Sequence, residues 1–391
     1  MKKVVLYLCL IAAIPTLDAR ELSDACRISL LTCDPGKEVY ARFGHTAIRV
    51  VDAPNDYDVV YHYGVFDFET DGFLLRFIRG ETDYQIGKLP TNIFLDEYNR
   101  RRSTVVEQTL NLSIDEKRRL NTALETNYLP ENRIYRYNFI YDNCATRPFV
   151  IINNAPDTAP TLYASRQSAT TFRSVIGEYV GSDTWLKFGI DILIGREADE
   201  PVFEQSLIGF PLYMMRIVSN EMLESGGSSR PLASSAEPLF IHPPLNVETA
   251  LPITGPVWVC CMLLIVVAAL SFLSWQRKRY MLWLDVTLFA IFGILGCVVG
   301  YMTFFSLHPL VDTNLNLLWM NPLQLLFALA IINKRWRSGL SYFGLFNALT
   351  TLIAIVVCVT HIQGMHPAFL PLMGIMMVRS VMFFQMHKLK S

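Results

Sequence analysis

Residues 43–50 run Phe43-Gly44-His45-Thr46-Ala47-Ile48-Arg49-Val50, an apolar-rich stretch with a histidine near its start. Its β-branched and small apolar residues predict a strand over 43–52. Further strands are predicted at 27–33 and 58–68, and the proline- and asparagine-containing residues 53–57 are the predicted turn between the last two. Strands joined by such a short turn predict an antiparallel sheet that carries His45.

A second informative segment is Tyr141-Asp142-Asn143-Cys144-Ala145-Thr146-Arg147. A strand is predicted before it at 133–140, and a helix is predicted to run from Cys144 toward residue 153. Two other helices are predicted: one begins after Pro90-Thr91 and runs to about Arg102, and the other covers 113–128, where Ser113 and Glu116 have the spacing of a capping box. These elements predict an α+β domain in which helices pack on a small sheet.

A cysteine and a histidine in one domain can form a thiol nucleophile and its base. Cys144 follows the turn-prone Asn143, so we expect it in the first turn of the helix, where the helix N-terminus and a neighbouring imidazole lower a thiol pKa. His45 would accept the thiol proton, and backbone N–H groups would face the oxyanion. His62 on the next strand is the predicted partner of His45, with Asp67 as the alternative, because strand register decides which one faces it.

Each candidate also has an ordinary structural interpretation. A lone cysteine is often a small buried apolar residue, and many histidines lie in a core or at a surface without a catalytic role. The polar neighbours of Cys144 argue against the first interpretation. Cys26 and Cys33 flank a predicted strand that holds them roughly 20 Å apart, against the about 5.5 Å that a disulfide needs. Cys144 is therefore predicted to be a free thiol.

Hydrophobicity divides the chain into a globular part and a membrane part. Of its 391 residues 52% are hydrophobic, and residues 256–386 are almost continuously apolar, whereas 20–218 resemble a globular domain. Residues 1–19 have two lysines, a short apolar core and a small residue, which predicts a signal peptide. Residues 219–255 are rich in Gly, Ser and Pro and predict a flexible linker. The five predicted transmembrane helices are at about 256–275, 281–304, 317–333, 340–360 and 367–386.

The basic loops indicate the orientation of the chain. Lysine and arginine near the membrane concentrate at 276–279, 333–337 and the tail, 387–391. The positive-inside rule therefore predicts a cytoplasmic tail and an extracytoplasmic domain on a bacterial inner membrane. A net charge of −1 without a basic run gives no indication of a nucleic-acid partner. The histidines are scattered, so no metal is expected, and no cofactor is indicated.

Other polar residues have weaker functional interpretations. Arg147 could bind a phosphate. In the outer loop, His308 and Asn316 would lie at the level of lipid headgroups, either positioning a substrate or capping helix ends. Arg379 is close enough to the inner end of the last span to extend its charge to the surface, while Asp285 lies near a cytoplasmic end.

The order of His45, His62 and the Asn143-Cys144 pair resembles the circularly permuted papain-like fold of the NlpC/P60 type, which includes the lecithin:retinol acyltransferases. This resemblance implies that His45 is the base, His62 the supporting residue and Cys144 the acyl-accepting nucleophile.

The chain resembles more closely the Lnb-type lipoprotein N-acyltransferases of Bacteroidota. The similarity lies in residues 30–49, 63–68 and 142–147, in the five spans, and in the stretch Asn316-Leu317-Leu318-Trp319-Met320-Asn321-Pro322. It implies a periplasmic papain-like domain followed by an all-α five-helix transmembrane bundle. It also implies transfer of an acyl chain from a membrane phospholipid, through a cysteine thioester, to the N-terminal amine of a diacylglyceryl-cysteine lipoprotein.

Two alternative functions remain open. The same fold type supports a membrane-tethered cysteine peptidase or amidase that acts on cell-wall peptides. A non-catalytic envelope scaffold would use the domain to bind a partner.

Overall fold

The computed structural model describes residues 21–67, 69–158, 160, 167–225, 228–245 and 253–388. The predicted signal peptide lies outside the described residues, as do residues 246–252 of the predicted linker and residues 389–391 of the tail. Within the described chain, a sheet-containing part (residues 21–245, the sheet domain) precedes a helical part (residues 253–388, the membrane region). The α+β prediction is therefore confirmed.

The sheet domain is built on one antiparallel sheet. The described strands are β1 (Arg27–Cys33), β2 (His45–Asp52), β3 (Tyr57–Val65), β4 (Asp83–Pro90), β5 (Val105–Thr109), β6 (Ile134–Arg136), β7 (Gln167–Thr171), β8 (Pro201–Phe203), β9 (Met222–Ser225), β10 (Ser228–Pro231) and β11 (Glu237–Phe240). Seven of them form the main sheet in the order β11-β5-β1-β2-β3-β4-β6. The predicted strands around His45 exist and are adjacent, with Cys33 opposite His45 and Ala47 opposite His62.

Helices cover the sheet and form the membrane region. The described α-helices are α1 (Phe73–Arg79), α2 (Thr91–Arg100), α3 (Ile114–Tyr128), α4 (Thr146–Asn153), α5 (Phe172–Val180), α6 (Trp185–Leu193), α7 (Pro211–Asn220), α8 (Pro256–Gln276), α9 (Leu282–Phe305), α10 (Leu323–Ala330), α11 (Ser341–Val359) and α12 (Phe369–Lys388). The predicted capping box is present at the start of α3, where Ser113 and Glu116 each accept the other's backbone N–H.

The two faces of the sheet pack against different helices. Side chains alternate along a strand, so His45, Ala47 and their cross-strand neighbour His62 share one face. That face packs on α2 through Phe94 and Tyr98. The opposite face forms the main core with α3, α4 and α7. The candidate histidines thus lie between the sheet and a single amphipathic helix.

The predicted linker is folded over much of its length. Within 219–255, β9 and β10 form a hairpin and β11 extends the main sheet by pairing with β5. Leu223, Leu232 and Ala233 are buried in the main core. The glycines and serines lie next to turns between these short strands, so the flexible-linker prediction is wrong for this part of the chain.

The membrane region contains four described helices, α8, α9, α11 and α12, that are long and apolar enough to cross a membrane. The third predicted span is different, because a 3₁₀ turn at Leu315–Leu318 precedes α10, which has eight residues. Such a helix extends about 12 Å, less than the roughly 30 Å of hydrocarbon. Pro322 lies at the start of α10 and prevents a continuous helix through this point. The five-helix count therefore stays a prediction.

Arg379 does not extend to the surface. Its Nε donates to Asp285 Oδ1 at 2.6 Å, its Nη1 donates to Ser271 Oγ at 2.9 Å, and Tyr280 donates to the same carboxylate. Both side chains are fully buried among α8, α9 and α12. Pairing replaces the water that a charge at this depth lacks, which explains why the pair occurs inside the bundle.

The sheet domain is docked on the outer loops of the membrane region. Gly195 N–H donates to Leu310 O at 2.7 Å, and Gly364 N–H donates to Asp199 Oδ2 at 3.0 Å. A Cβ at Gly195 would lie 1.9 Å from Asp312 O, so the two backbones are in direct contact. The domain is therefore held by close contacts in addition to its covalent connection, in contrast to the loose tether predicted from the linker.

Candidate active site

His45 is the first residue of β2, and the turn before it determines where that strand begins. Gly44 has a φ of +81°, and a Cβ at Gly44 would lie 2.6 Å from Cys33 O. Only glycine has both the conformational freedom and the small size that this position requires. The tight turn therefore places His45 directly opposite the end of β1.

The strand register brings His62, and not Asp67, to His45. His45 Nε2 lies 3.4 Å from His62 Nδ1, and the ring centroids are 5.5 Å apart. His62 packs closely on Gly87, where a Cβ would lie 2.7 Å from the His62 Nε2 atom. Asp67 lies beyond the end of β3, and its Oδ1 accepts the Glu69 N–H at 2.9 Å.

Aromatic residues of α2 enclose the two histidines. The Tyr98 ring is stacked on His45 at 6.2 Å with an interplanar angle of 13°, and Phe94 lies 5.8 Å from the His62 ring. Tyr98 also hydrogen-bonds the Cys33 thiol. The sequence analysis missed Tyr98. The sequence feature that could have identified Tyr98 is its spacing of four residues from Phe94 in the predicted helix. This spacing places both aromatic rings on one helix face, where they can pack on the same part of the sheet.

Asn143 holds the turn that carries Cys144. Its Nδ2 donates to Phe139 O and Gly209 O, both at 2.9 Å, and its Oδ1 accepts the N–H groups of Ala145 and Thr146. These last two bonds satisfy donors at the start of α4, as an N-terminal cap does. Asn143 is almost completely buried. It therefore fixes the backbone next to the thiol and is not available to contact substrate.

The local structure around Cys144 differs slightly from the prediction. The strand predicted over 133–140 ends at Arg136, and residues 138–142 form a turn closed by backbone hydrogen bonds between Asn138 and Asp142. Helix α4 begins at Thr146, two residues after Cys144. Cys144 thus lies in the capping turn before the helix.

The Cys144 thiol lies against the residue that follows His45. It receives hydrogen bonds from the backbone N–H of Thr46 and from its own N–H. A Cβ at Gly64, near the end of β3, would lie 3.6 Å from the Cys144 Cβ, an ordinary contact distance. Adjacent α-carbons are about 3.8 Å apart, so the thiol and His45 belong to one small region at the start of β2.

Burial determines the charge state of Cys144, His45 and His62. Desolvation raises the pKa of Cys144 to about 11, in spite of its two backbone donors. Burial together with His62 lowers the pKa of His45 to about 3, and burial lowers that of His62 to about 4. The sequence-based expectation of a lowered thiol pKa is wrong for the resting site, because desolvation outweighs the hydrogen bonds. The thiol and both imidazoles are neutral at pH 7.

Arg147 is engaged by its own turn. Its Nε and Nη2 donate to the Asp142 carboxylate at 2.6 and 2.8 Å, and its guanidinium lies 3.7 Å from the centre of the Tyr135 ring. A bidentate pair of this kind occupies the donors that a phosphate would need. Arg147 therefore links α4 to the turn at Asp142 and stabilises the segment that carries Cys144.

His308 and Asn316 lie in the contact between the sheet domain and the membrane region. His308 Nε2 donates to Phe77 O of α1, and its ring packs on Phe77 and Phe139. Asn316 Nδ2 donates to Asp191 O at 2.9 Å, near the C-terminal end of α6. Both predicted outer-loop candidates thus contribute to docking.

The described residues contain no group of three or more His, Cys, Asp or Glu side chains placed to hold a metal ion.

Comparison with protein families gives two matches. Residues 17–177 match the family model described as the Lnb N-terminal periplasmic domain, and residues 248–390 match the Lnb transmembrane domain. The first match contains His45, His62 and Cys144. No curated protein and no solved structure matches the chain.

Proposed function

Because this chain belongs to the Lnb family, with both its periplasmic and its transmembrane domain, we propose that it is a lipoprotein N-acyltransferase. The acyl donor is a membrane phospholipid, and the acceptor is the N-terminal amine of a lipoprotein that carries a diacylglyceryl-modified cysteine. The observation that supports the proposal is the hydrogen bond from Thr46 N–H to the Cys144 thiol, because Thr46 directly follows His45 in β2.

The first half-reaction forms a thioester. His45 accepts the Cys144 Sγ proton as the sulfur attacks the ester carbonyl of the phospholipid. The tetrahedral intermediate collapses, the C–O bond breaks, and His45 returns the proton to the leaving oxygen. The products are a lysophospholipid and an acyl group on Cys144. The Cys144 N–H, which lies beside the sulfur, supplies a backbone donor for the oxyanion, whereas the N–H groups of Ala145 and Thr146 are held by Asn143.

The second half-reaction forms an amide. The lipoprotein amine attacks the thioester carbonyl, and His45 accepts the proton that the amine loses. The C–S bond then breaks, and the proton passes to the departing sulfur. His45 and Cys144 are both neutral again at the end of the cycle.

The neutral resting site fits this sequence of steps. A thiol pKa of about 11 and a His45 pKa of about 3 disfavour a permanent thiolate–imidazolium pair. Proton transfer therefore takes place together with attack on a bound ester. Because His45 Nε2 lies 3.4 Å from His62 Nδ1, we assign the transfer of the thiol proton to the other ring nitrogen, His45 Nδ1.

The proposed topology follows the positive-inside rule. The sheet domain lies in the periplasm, and the short basic tail lies in the cytoplasm. Docking on the outer loops then holds Cys144 near the outer leaflet of the inner membrane, where both lipid substrates are located.

The proposal is tested with the full chain in phospholipid nanodiscs. Wild-type protein is expected to release lysophospholipid, to carry an acyl mass on Cys144, and to add one acyl chain to a diacylated lipopeptide. Cys144→Ala should lose all three activities. Cys261→Ala, which removes another partly exposed thiol in α8, should retain them.

Two results would contradict the acyltransferase. One is undiminished acylation of the lipopeptide by Cys144→Ala. The other is release of peptide fragments from purified cell wall by the wild type without lysophospholipid formation, which is the outcome expected of an amidase.

A further inference from the structure

An apolar groove lies between the sheet domain and the outer half of the membrane region. It has a volume of about 360 Å³, and its lining residues are Ile78, Ile294, Cys297, Val298, Tyr301 and Leu325. Four of these lie on one face of α9 at helical spacing, one lies on α10 and one on α1. The groove is therefore open to lipid on one side and covered by an element of the sheet domain.

Helix α1 is placed at the membrane surface. Ser306 Oγ donates to Ile78 O and Leu307 N–H donates to Arg79 O, both at 2.8 Å, so α1 is bound to the loop directly after the outer end of α9. Its Leu74 and Leu75 are 68% and 64% exposed. Exposed leucines at this level are expected to enter the boundary between headgroups and acyl chains.

A row of aromatic rings connects α1 with the candidate active site. Phe77 is stacked on Phe73 at 6.2 Å, and Phe73 is stacked on Phe66 at 6.0 Å. Phe66 in turn packs on Tyr84 at 4.8 Å. Phe66 is two residues beyond Gly64, whose position borders the Cys144 side chain. Phe66, Tyr84 and Cys144 pack in one apolar cluster, and Ile78, next to Phe77, lines the groove, so apolar side chains lie between the thiol and the groove.

We infer that the groove holds the distal end of the hydrocarbon chain that Cys144 accepts, an inference that rests on the proposed acyltransferase. The chain runs from the thiol along the aromatic row of α1 and enters the groove between α1, α9 and α10. The hydrocarbon of the donor then never crosses water during transfer. The depth of the groove sets the preferred length of the acyl chain.

The test fills the groove and measures chain-length preference. Val298→Trp places a large side chain in the groove, and Val266→Trp places the same side chain on the exposed face of α8; these two valines are 46% and 50% exposed. Acylation of Cys144 is followed by intact mass with long-chain and short-chain phosphatidylethanolamine. Val298→Trp should lower the rate of Cys144 acylation by the long-chain donor about tenfold and leave the rate with the short-chain donor unchanged. Val266→Trp should match the wild type with both donors.

If the ratio of the long-chain to the short-chain acylation rate is unchanged in Val298→Trp, the inference about the groove is wrong, whereas the proposed acyltransferase function is unaffected. Absence of Cys144 acylation in the wild type would instead contradict the proposed function. A second measurement is independent of activity. In Cys144→Ala, a phospholipid with a photoreactive group at its chain terminus should label α1, α9 and α10 in preference to α8 and α11. Equal labelling of all lipid-facing helices would also overturn the inference.

Discussion

At the scale of single residues, His45 depends on neighbours that are distant in the sequence. Its ring is stacked on Tyr98 and contacts His62, while the candidate nucleophile Cys144 lies on a turn held by Asn143. The same enclosure that orients the imidazole removes water from it and from Cys144. Orientation and desolvation thus have a common cause, and desolvation is what keeps both groups neutral.

The raised thiol pKa predicts the pH dependence of Cys144 alkylation. Below a pKa of about 11, the thiolate fraction rises about tenfold for each pH unit, so the rate with iodoacetamide should rise continuously between pH 6 and pH 9. His45 stays neutral over this range because its pKa is about 3. The rate is measured by peptide mapping of the full chain, with Cys144→Ser as the control for the assigned peptide. A rate that is already constant below pH 7 would mean that the thiol pKa is lowered.

At the scale of elements, the turn before β2 decides whether the site forms. Gly44 combines a positive φ with contact to the Cys33 carbonyl. Gly72, at the start of α1, has a φ of +67°, and a Cβ added there would have no neighbour within 4 Å. Substitution of Gly72 therefore measures the free-energy cost of a positive φ alone, whereas substitution of Gly44 adds the cost of a steric clash.

Alanine substitutions at these glycines should have unequal effects. Gly72→Ala is expected to cost about 1 kcal/mol, because alanine is strained in a left-handed conformation. Gly44→Ala should cost about 3 kcal/mol, because the Cβ also displaces β1 from β2. Both are measured by denaturant unfolding of the full chain in detergent, followed by acylation assays. Equal losses of unfolding free energy would show that the turn relaxes without moving the strand.

At the scale of the whole molecule, close contacts fix the orientation of the sheet domain on the membrane region. Leu310 and Asp312 contact Gly195, and Asn314 and Asn316 bind carbonyl groups at the end of α6. Under the proposed function, these contacts keep Cys144 at a constant position relative to the bilayer.

A substitution at this interface should reduce acylation of Cys144 by membrane phospholipid without changing the reactivity of the thiol itself. Gly195→Ala places a Cβ 1.9 Å from Asp312 O, whereas Gly189→Ala in α6 has no neighbour within 4 Å. Gly195→Ala is expected to lower acylation from nanodisc phospholipid by about tenfold, while alkylation of Cys144 by a soluble reagent stays at the wild-type rate. Gly189→Ala should leave both rates unchanged. Full lipid activity in Gly195→Ala would show that docking is not required.

Local patterns in the chain were enough to predict the strands around His45, the capping box of α3, the four long apolar helices and the resemblance to the Lnb family. These features depend on periodicity, caps and motifs, which are properties of neighbouring residues. They were sufficient to select Cys144 and His45 as candidates.

Other features became known only from the assembled fold: the choice of His62 over Asp67, the engagement of Arg147, the pairing of Arg379 with Asp285, and the folding of much of the predicted linker. The fold also reversed the expected direction of the Cys144 pKa shift. Each of these depends on contacts between residues far apart in the sequence. Strand register, desolvation and the pairing of edge strands arise only when the chain folds, so they cannot be predicted from patterns of neighbouring residues.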